Sequence, residues 1–110
     1  MQDLDITPKM ARVLKVFLED PDKARYGFEL MKLTGMASGS LYPMLANFEK
    51  HGWLTRGKED IDPRVAGRPA RTNYTIAGAA ASAARVQLTA LSEQYRPPAP
   101  GRLRPQGSTA

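Results

Sequence analysis

Hydrophobic residues recur at every third or fourth position over four stretches of the chain, which is the periodicity of amphipathic helices. In the first stretch Met10, Val13, Leu14 and Phe17 follow this spacing. The last stretch is rich in alanine, and its larger hydrophobic residues fall on a single stripe. The pattern therefore predicts four helices, over about residues 8–20, 27–33, 39–51 and 77–95.

Capping residues support these boundaries. Thr7, which precedes a proline, is a typical start for the first helix, and we expect Ser38 to cap the third in the same way. Gly35 and Gly52 stand where the second and third helices should end. Pro43 lies near the first turn of the third helix, where a missing N–H costs least.

Between the third and fourth helices the hydrophobic period changes from 3.6 to two, which predicts strands over residues 53–58 and 71–76. The connection contains Pro63, Gly67 and Pro69, so we predict no regular structure in it. The order of elements is then helix, helix, short turn, helix, hairpin, helix. This order is typical of a winged helix-turn-helix, mostly α with a small β-hairpin, whose third helix presents its polar face to the DNA major groove.

The chain divides into three predicted parts. Residues 1–76 form the winged helix-turn-helix, residues 77–95 form the last helix, and residues 96–110 form a basic, Pro/Gly-rich tail that we expect to be disordered. The stripe on the last helix either folds back on the body or meets a second chain. We favour a dimer interface, since bacterial helix-turn-helix regulators commonly bind paired half-sites as two-fold dimers. The stripe consists of Ala84, Leu88, Leu91 and Tyr95.

Charge and composition narrow the function. The net charge is +5, but residues 1–95 carry 13 Lys and Arg against 11 Asp and Glu, so the body is only mildly basic. The absence of cysteine excludes disulfides and Cys-ligated zinc. No apolar run reaches the ~18–20 residues of a membrane span, and the first residues are acidic, unlike a signal peptide. We expect a cytoplasmic protein that is not an enzyme and needs no metal or cofactor, because no nucleophile–base pair or ligand cluster is present.

Most of the chain, about residues 8–80, resembles the PadR family of bacterial transcriptional regulators. The resemblance rests on a small-residue segment, a Leu-Tyr-Pro segment with a following Leu and Glu, a Gly before a hydrophobic strand, a Gly-Arg-Pro turn and a strand tyrosine. These residues are Ser38-Gly39-Ser40, Leu41-Tyr42-Pro43, Leu45, Glu49, Gly52-Trp53-Leu54, Gly67-Arg68-Pro69 and Tyr74.

The resemblance implies a sequence-specific DNA-binding regulator, which we expect to be a repressor of a near-palindromic operator. The single short C-terminal helix is similar to that of the family's smaller subgroup, whose members dimerise through it. In the family, release from DNA often follows binding of a small aromatic or drug-like effector near the dimer interface. Two departures are Ala46 and Asn47, where the family usually has Lys or Arg, and Ala77, where the family has a capping Thr.

The third helix supplies the first group of candidate DNA contacts. The hydroxyls of Ser38, Ser40 and Tyr42, with the free N–H groups of the helix start, suit phosphate oxygens or base edges. The amide of Asn47 suits an adenine edge, and Lys50 lies near the helix end. The alternative is that Ser38 merely caps the helix and Tyr42 merely packs.

The hairpin connection supplies the second group, Arg64, Arg68 and Arg71. The acidic residues of this segment come first, so we expect the later arginines to be unopposed. Arg68, in the Gly-Arg-Pro turn, is a candidate for insertion into a narrow minor groove, where the potential is most negative. The alternative is a solvated loop arginine.

Two further readings stay open. Trp53 is expected in the core, with a wall of an effector site as the alternative, and His51 ends a helix without partners that would make it a metal ligand. The whole domain also has a rival function, a winged-helix module that binds a protein partner rather than DNA. This alternative is supported by the nearly balanced charge of the body and by the uncharged pair Ala46 and Asn47.

Overall fold

The computed structural model describes residues 1–98, and within that range the chain is mixed α/β, with five helices and one three-stranded antiparallel sheet. The helices are α1 (Pro8–Glu19), α2 (Gly27–Thr34), α3 (Ser38–Lys50), α4 (Pro63–Ala66) and α5 (Gly78–Tyr95). The strands are β1 (Arg25–Tyr26), β2 (Leu54–Lys58) and β3 (Thr72–Ile76).

The start of α1 is as predicted. Thr7 Oγ1 accepts a hydrogen bond from the backbone N–H of Met10 at 3.2 Å, which satisfies one of the free donors of the first turn. Val13, Leu14 and Phe17 are fully buried, so the predicted stripe faces the core.

The turn between α2 and α3 is held by backbone geometry and one hydroxyl. Gly35 has a φ of 72°, a left-handed conformation that favours glycine, and its N–H donates to the carbonyl of Met31 at 2.9 Å. The buried Thr34 hydroxyl donates to the carbonyl of Leu30 at 2.6 Å and accepts from the N–H of Met36 at 3.2 Å. The second helix therefore ends where glycine was expected to end it.

The expected cap of α3 is wrong by one residue. Ala37 occupies the N-cap position, and its carbonyl accepts from the N–H groups of Ser40 and Leu41. Ser38 is the first helical residue, because the extended conformation ends at Ala37 directly after the buried Met36. The Ser38 side chain is exposed and makes no capping hydrogen bond.

The sheet contains one strand that the hydrophobic pattern does not predict. The order is β1-β3-β2, with Arg25 opposite Tyr74 and Leu54 opposite Ile76. The two residues of β1 are too few to show alternation, and the first of them is a buried arginine. Arg25 Nη2 donates to the carbonyl of Val16 at 3.2 Å, and Nη1 to Glu29 Oε2 at 3.3 Å. Strands β2 and β3 form the predicted hairpin.

The connection between β2 and β3 is also more regular than predicted. It contains the single-turn helix α4, in which Asp62 Oδ1 accepts from the N–H of Arg64 at 2.9 Å. Pro63 is the first helical residue and Gly67, with a φ of 71°, ends the turn. Two of the three residues that predict irregular structure, Pro63 and Gly67, are the boundary residues of this short helix.

The core lies between the helices and one face of the sheet. Trp53 is fully buried, as expected, and its Nε1 donates to the carbonyl of Gln2 at 2.7 Å. Its ring lies beside Phe48 with the centroids 6.3 Å apart. These contacts join the end of α3 and the start of β2 to the chain's first residues.

Helix α5 divides into a packed and an open half. Ala77 is its N-cap and makes no side-chain cap, so the helix starts at Gly78. Ala84 is fully buried in the core of its own chain, which corrects its assignment to a dimer surface. Leu88 and Leu91 are half-buried and Tyr95 is 68% exposed. The predicted tail begins at Arg96, and its residues from 99 onward lie outside the described residues. Within residues 1–98 no helix is long and apolar enough to cross a membrane.

Candidate nucleic-acid interface

Helix α3 offers one polar face to solvent. Leu41, Leu45 and Phe48 are fully buried, so the opposite side of the helix is free of contact with the core. All five of the predicted contact residues on this helix are exposed on it: Ser38, Ser40, Tyr42, Asn47 and Lys50.

Two lines of polar side chains run along opposite flanks of α3. Ser40 and Asn47 are seven residues apart and so lie on one line, while Tyr42 and Glu49 lie on the other. The first line is uncharged and carries hydroxyl and amide groups. The second line faces the sheet, because Glu49 Oε2 pairs with Arg56 Nε of β2 at 3.1 Å. The two lines therefore have different chemistry, one suited to hydrogen bonding and one to an ionic contact.

Tyr42 lies against the first residue of α2. A Cβ atom added to Gly27 would fall 2.7 Å from Tyr42 Cζ, closer than real side chains approach. Gly27 is itself buried, whereas Tyr42 is 44% exposed. The ring thus occupies the space that the absent side chain of Gly27 leaves, with part of its surface open to solvent.

The loop after β2 closes on an ion pair between Glu59 and Arg68. Arg68 Nη1 donates to Glu59 Oε1 at 2.7 Å and Nη2 donates to Oε2 at 3.1 Å. The hydrogen bond from Arg68 lowers the pKa of the Glu59 carboxyl, and the same bond raises the pKa of Arg68. The backbone N–H of Arg71 also donates to Glu59 Oε1 at 3.3 Å. The carboxylate therefore ties together both ends of the loop.

This pair corrects the expectation that the later arginines of the loop are unopposed. Arg68 is paired in a two-pronged geometry with a carboxylate nine positions earlier, because the loop returns on itself around α4. Its guanidinium is therefore already occupied. Within residues 1–98 the carboxylate ion pairs include neither Arg64 nor Arg71, so these two cations remain available.

Arg64 and Arg71 lie in different surroundings. Arg64 is exposed on α4 at the tip of the loop. Arg71 lies over the ring of Phe28, with its guanidinium carbon 5.2 Å from the ring centroid, a cation–π contact. Phe28 in turn stacks on Tyr26, with the centroids 5.6 Å apart. The exposed Phe28 thus places Arg71 beside the start of α2.

A surface pocket of about 380 Å³ opens where α2, α3 and the sheet meet. Sequence reasoning identified Tyr42 and Arg71 but missed the other members, since they come from separate elements. Burial raises the pKa of the hydroxyl of Tyr74, which is one of the lining residues. The sequence does indicate that Phe28 is exposed, because this residue falls outside the apolar stripe of its helix. The lining residues are Gly27, Phe28, Tyr42, Arg56, Arg71, Thr72 and Tyr74.

A second groove of about 460 Å³ lies between α1 and the open half of α5. Its wall is mostly hydrophobic and includes three residues of the predicted dimer stripe: Leu88, Leu91 and Tyr95. The opposite side comes from Pro8, Ala11 and Lys15. The groove lies on a different helix pair from the polar face of α3.

His51 and Asp62 make local contacts. His51 follows α3, and its Nδ1 lies 2.8 Å from the carbonyl of Asn47. Asp62 caps α4. Within residues 1–98 no group of three or more His, Cys, Asp and Glu side chains could hold a metal ion. The exposed side chains described above therefore provide hydrogen-bonding groups and positive charge.

Comparison with known proteins adds no assignment: no protein-family model and no curated protein matches the chain.

Proposed function

We propose that the protein is a sequence-specific DNA-binding transcriptional regulator of winged helix-turn-helix type, acting as a dimeric repressor in the cytoplasm. The observation that carries the proposal is the free polar face of α3, which lies beside a hairpin that holds uncommitted arginines. An α-helix with its side chains is 10–12 Å across and the major groove is ~12 Å wide, so a helix with such a free face can enter it.

Base recognition rests on the uncharged line of α3. The Asn47 side chain is exposed and can donate to and accept from an adenine edge, and the Ser40 hydroxyl lies two turns before it. The free N–H groups of the first turn add donors for phosphate oxygens. In this scheme Lys50 contributes charge at the other end of the helix.

The hairpin contacts the DNA backbone beside the helix. Arg64 and Arg71 supply the charge, and Arg68 acts by holding the loop through Glu59. This differs from insertion of Arg68 into the minor groove, because a minor-groove arginine must be free of a carboxylate. Contacts of this kind are independent of sequence and weaken steeply with salt.

Two chains would join through the open half of α5. Leu88, Leu91 and Tyr95 line a groove that leaves hydrophobic surface on the single chain, and a second copy would cover it. Two α3 helices would then enter successive major grooves, ~34–36 Å apart, on a near-palindromic operator. Repression would follow from coverage of promoter DNA, and the resemblance to PadR proteins suggests release by a small aromatic or drug-like effector.

The test is an equilibrium titration of the full chain against duplex DNA at two salt concentrations. Asn47→Ala should keep nonspecific affinity and lose preference at one base pair, since each specific base contact is worth about 1–3 kcal/mol. Ser82→Ala, an exposed polar position on α5, is the matched control and should leave both unchanged. Loss of nonspecific affinity with no change in preference would contradict the assignment of Asn47.

One observation favours a second candidate, a module that binds a protein partner. Two cations near the proposed interface, Arg56 and Arg68, are neutralised by Glu49 and Glu59. A surface with little free charge suits a protein partner better than a polyanion. This candidate predicts that the chain shows no salt-dependent binding to DNA, which the same titration measures.

A further inference from the structure

We infer that the pocket between α2, α3 and the sheet binds one phosphodiester group of the DNA backbone, together with its deoxyribose. The inference rests on the proposed function and identifies which part of the DNA this pocket receives. The lining residues that carry the inference are Phe28, Tyr42, Arg56, Arg71 and Tyr74.

The position of the pocket favours a backbone group over a base. Tyr42 lies on the line of α3 that faces the sheet, five positions before Asn47 and so about 140° from it around the helix. When a helix fills the major groove, residues on its flanks meet the sugar-phosphate strands that border the groove. A pocket on the flank of α3 is therefore at the right place for a strand.

The polar side of the pocket is rich in hydrogen-bond donors. It has two guanidinium groups, Arg56 and Arg71, and two phenol groups, Tyr42 and Tyr74. Within residues 1–98 no intramolecular hydrogen bond engages either phenol hydroxyl. An oxygen-rich anion satisfies such a set, and arginine suits a phosphate in particular.

Charge at the pocket is positive although a carboxylate lies nearby. Arg56 uses its Nε on Glu49, which neutralises that carboxylate, and its terminal nitrogens remain for another acceptor. Arg71 has no carboxylate partner among the described residues and is held in place by its contact with Phe28. The group that the pocket receives therefore carries negative charge.

The apolar side distinguishes a nucleotide unit from a free anion. Phe28 is 57% exposed, and its ring is backed by Tyr26 at 5.6 Å. A free phosphate would use the arginines and leave the exposed part of this ring in water. A phosphodiester always comes with a deoxyribose, whose C–H groups can cover the ring as the phosphate meets Arg71.

The test combines protein and DNA substitutions. The duplex with the strongest selected binding is prepared with single methylphosphonates, which remove the charge of one phosphate at a time along each strand. Wild type is compared with Arg71→Gln and with Tyr42→Phe, which removes one exposed hydroxyl and leaves the ring. Lys9→Gln, an exposed residue of α1 that does not line the pocket, is the matched control for loss of one charge.

We expect one phosphate per half-site at which the methylphosphonate weakens wild-type binding about tenfold, in line with a charge-assisted hydrogen bond. Arg71→Gln should weaken binding to the unmodified duplex by a similar factor and become insensitive to that methylphosphonate, while Lys9→Gln stays sensitive. Tyr42→Phe should become partly insensitive to the same methylphosphonate. If the loss of affinity from each protein substitution and the loss from each methylphosphonate are additive at every phosphate, the inference is wrong.

The remaining outcomes are distinguishable. If inorganic phosphate competes with DNA far better than chloride at equal ionic strength, the pocket takes a free anion and the commitment to a nucleotide unit is wrong. If selected DNA binds tightly but no phosphate couples to Arg71 or Tyr42, the pocket assignment fails and the proposed function stands. If no sequence is selected at all, both fail together.

Discussion

Arg68 and Glu59 form a two-pronged ion pair, with oxygen–nitrogen distances of 2.7 and 3.1 Å, that closes the loop between β2 and β3. The Glu59 side chain is only 16% exposed, so the pair is partly shielded from solvent. The loop's shape, and with it the position of Arg64 on α4, depends on this pair. We therefore expect Arg68 to position the loop rather than to enter DNA.

The first prediction uses a charge swap. Glu59→Arg and Arg68→Glu should each loosen the loop and weaken DNA binding, because each places like charges together. The double variant restores an ion pair with reversed polarity and should recover most of the affinity, as measured by equilibrium titration. If Arg68 contacts DNA directly, the double variant will bind no better than Arg68→Glu alone, which contradicts the positioning role.

The second prediction concerns acid pH. The pKa of Glu59 is lowered from its ordinary 4.5 by its hydrogen bond with Arg68. A lowered pKa means that the pair stabilises the fold above the ordinary value, and that this stabilisation is lost as pH falls through the lowered one. Thermal unfolding should show a difference in stability between wild type and Glu59→Gln at neutral pH, and this difference should shrink as pH falls below 4.5. A difference that is constant over this range would show that the carboxylate's charge plays no part.

The third prediction tests the contact between Gly27 and Tyr42. Gly27→Ala forces the exposed Tyr42 ring to move, since its outer atoms occupy the space of the new methyl group. The ring can rotate into solvent and alanine is the better helix former, so stability should change by less than about 1 kcal/mol. The affinity for DNA should fall as much in Gly27→Ala as in Tyr42→Ala. The double variant should bind DNA no more weakly than either single variant.

Urea unfolding and DNA titration of the three variants provide the measurement. Independent, additive losses of affinity would mean that Gly27 does not act through Tyr42. A loss of stability of several kcal/mol would mean that the Tyr42 ring is fixed by the fold.

The fourth prediction concerns self-association through α5. Leu91→Glu places a charge in the groove between α1 and α5 and should convert a dimer to a monomer without unfolding it, because Leu91 is only half-buried in the single chain. Val86→Glu is the matched control: it introduces the same charge on the opposite side of the same helix, where Val86 is 70% exposed. Sedimentation at tens of micromolar protein measures both.

The DNA consequence of the fourth prediction is specific. Leu91→Glu should lose affinity for a duplex with two half-sites and keep its affinity for a single half-site, whereas Val86→Glu should match wild type on both. A wild-type protein that sediments as a monomer would contradict the dimer.

Local signals were enough to predict much of the fold. Thr7 caps α1, Gly35 ends α2, and the two strands of the hairpin follow their alternating pattern, because each depends on residues adjacent in sequence. The burial of Trp53 was also predictable, because large aromatic residues dominate small cores. The exposure of Asn47 follows from the three buried residues on the other side of its helix.

What could not be predicted depends on residues far apart in sequence. Strand β1 depends on pairing with β3, in which Arg25 lies opposite the distant Tyr74, and no alternation is visible in two residues. The pairing of Arg68 with Glu59 needs the loop to fold back over nine positions. The pocket at Phe28 draws on α2, α3, β2 and β3, so the order of residues along the chain does not indicate it.

The central claim is that this chain recognises a DNA sequence as a dimer, and selection from randomised duplexes at two salt concentrations tests it most directly. We expect an enriched near-palindromic site whose half-sites lie about one helical turn apart, with binding that weakens steeply as salt rises. Absence of any enrichment, together with no salt-dependent binding to DNA, would contradict it and favour the protein partner.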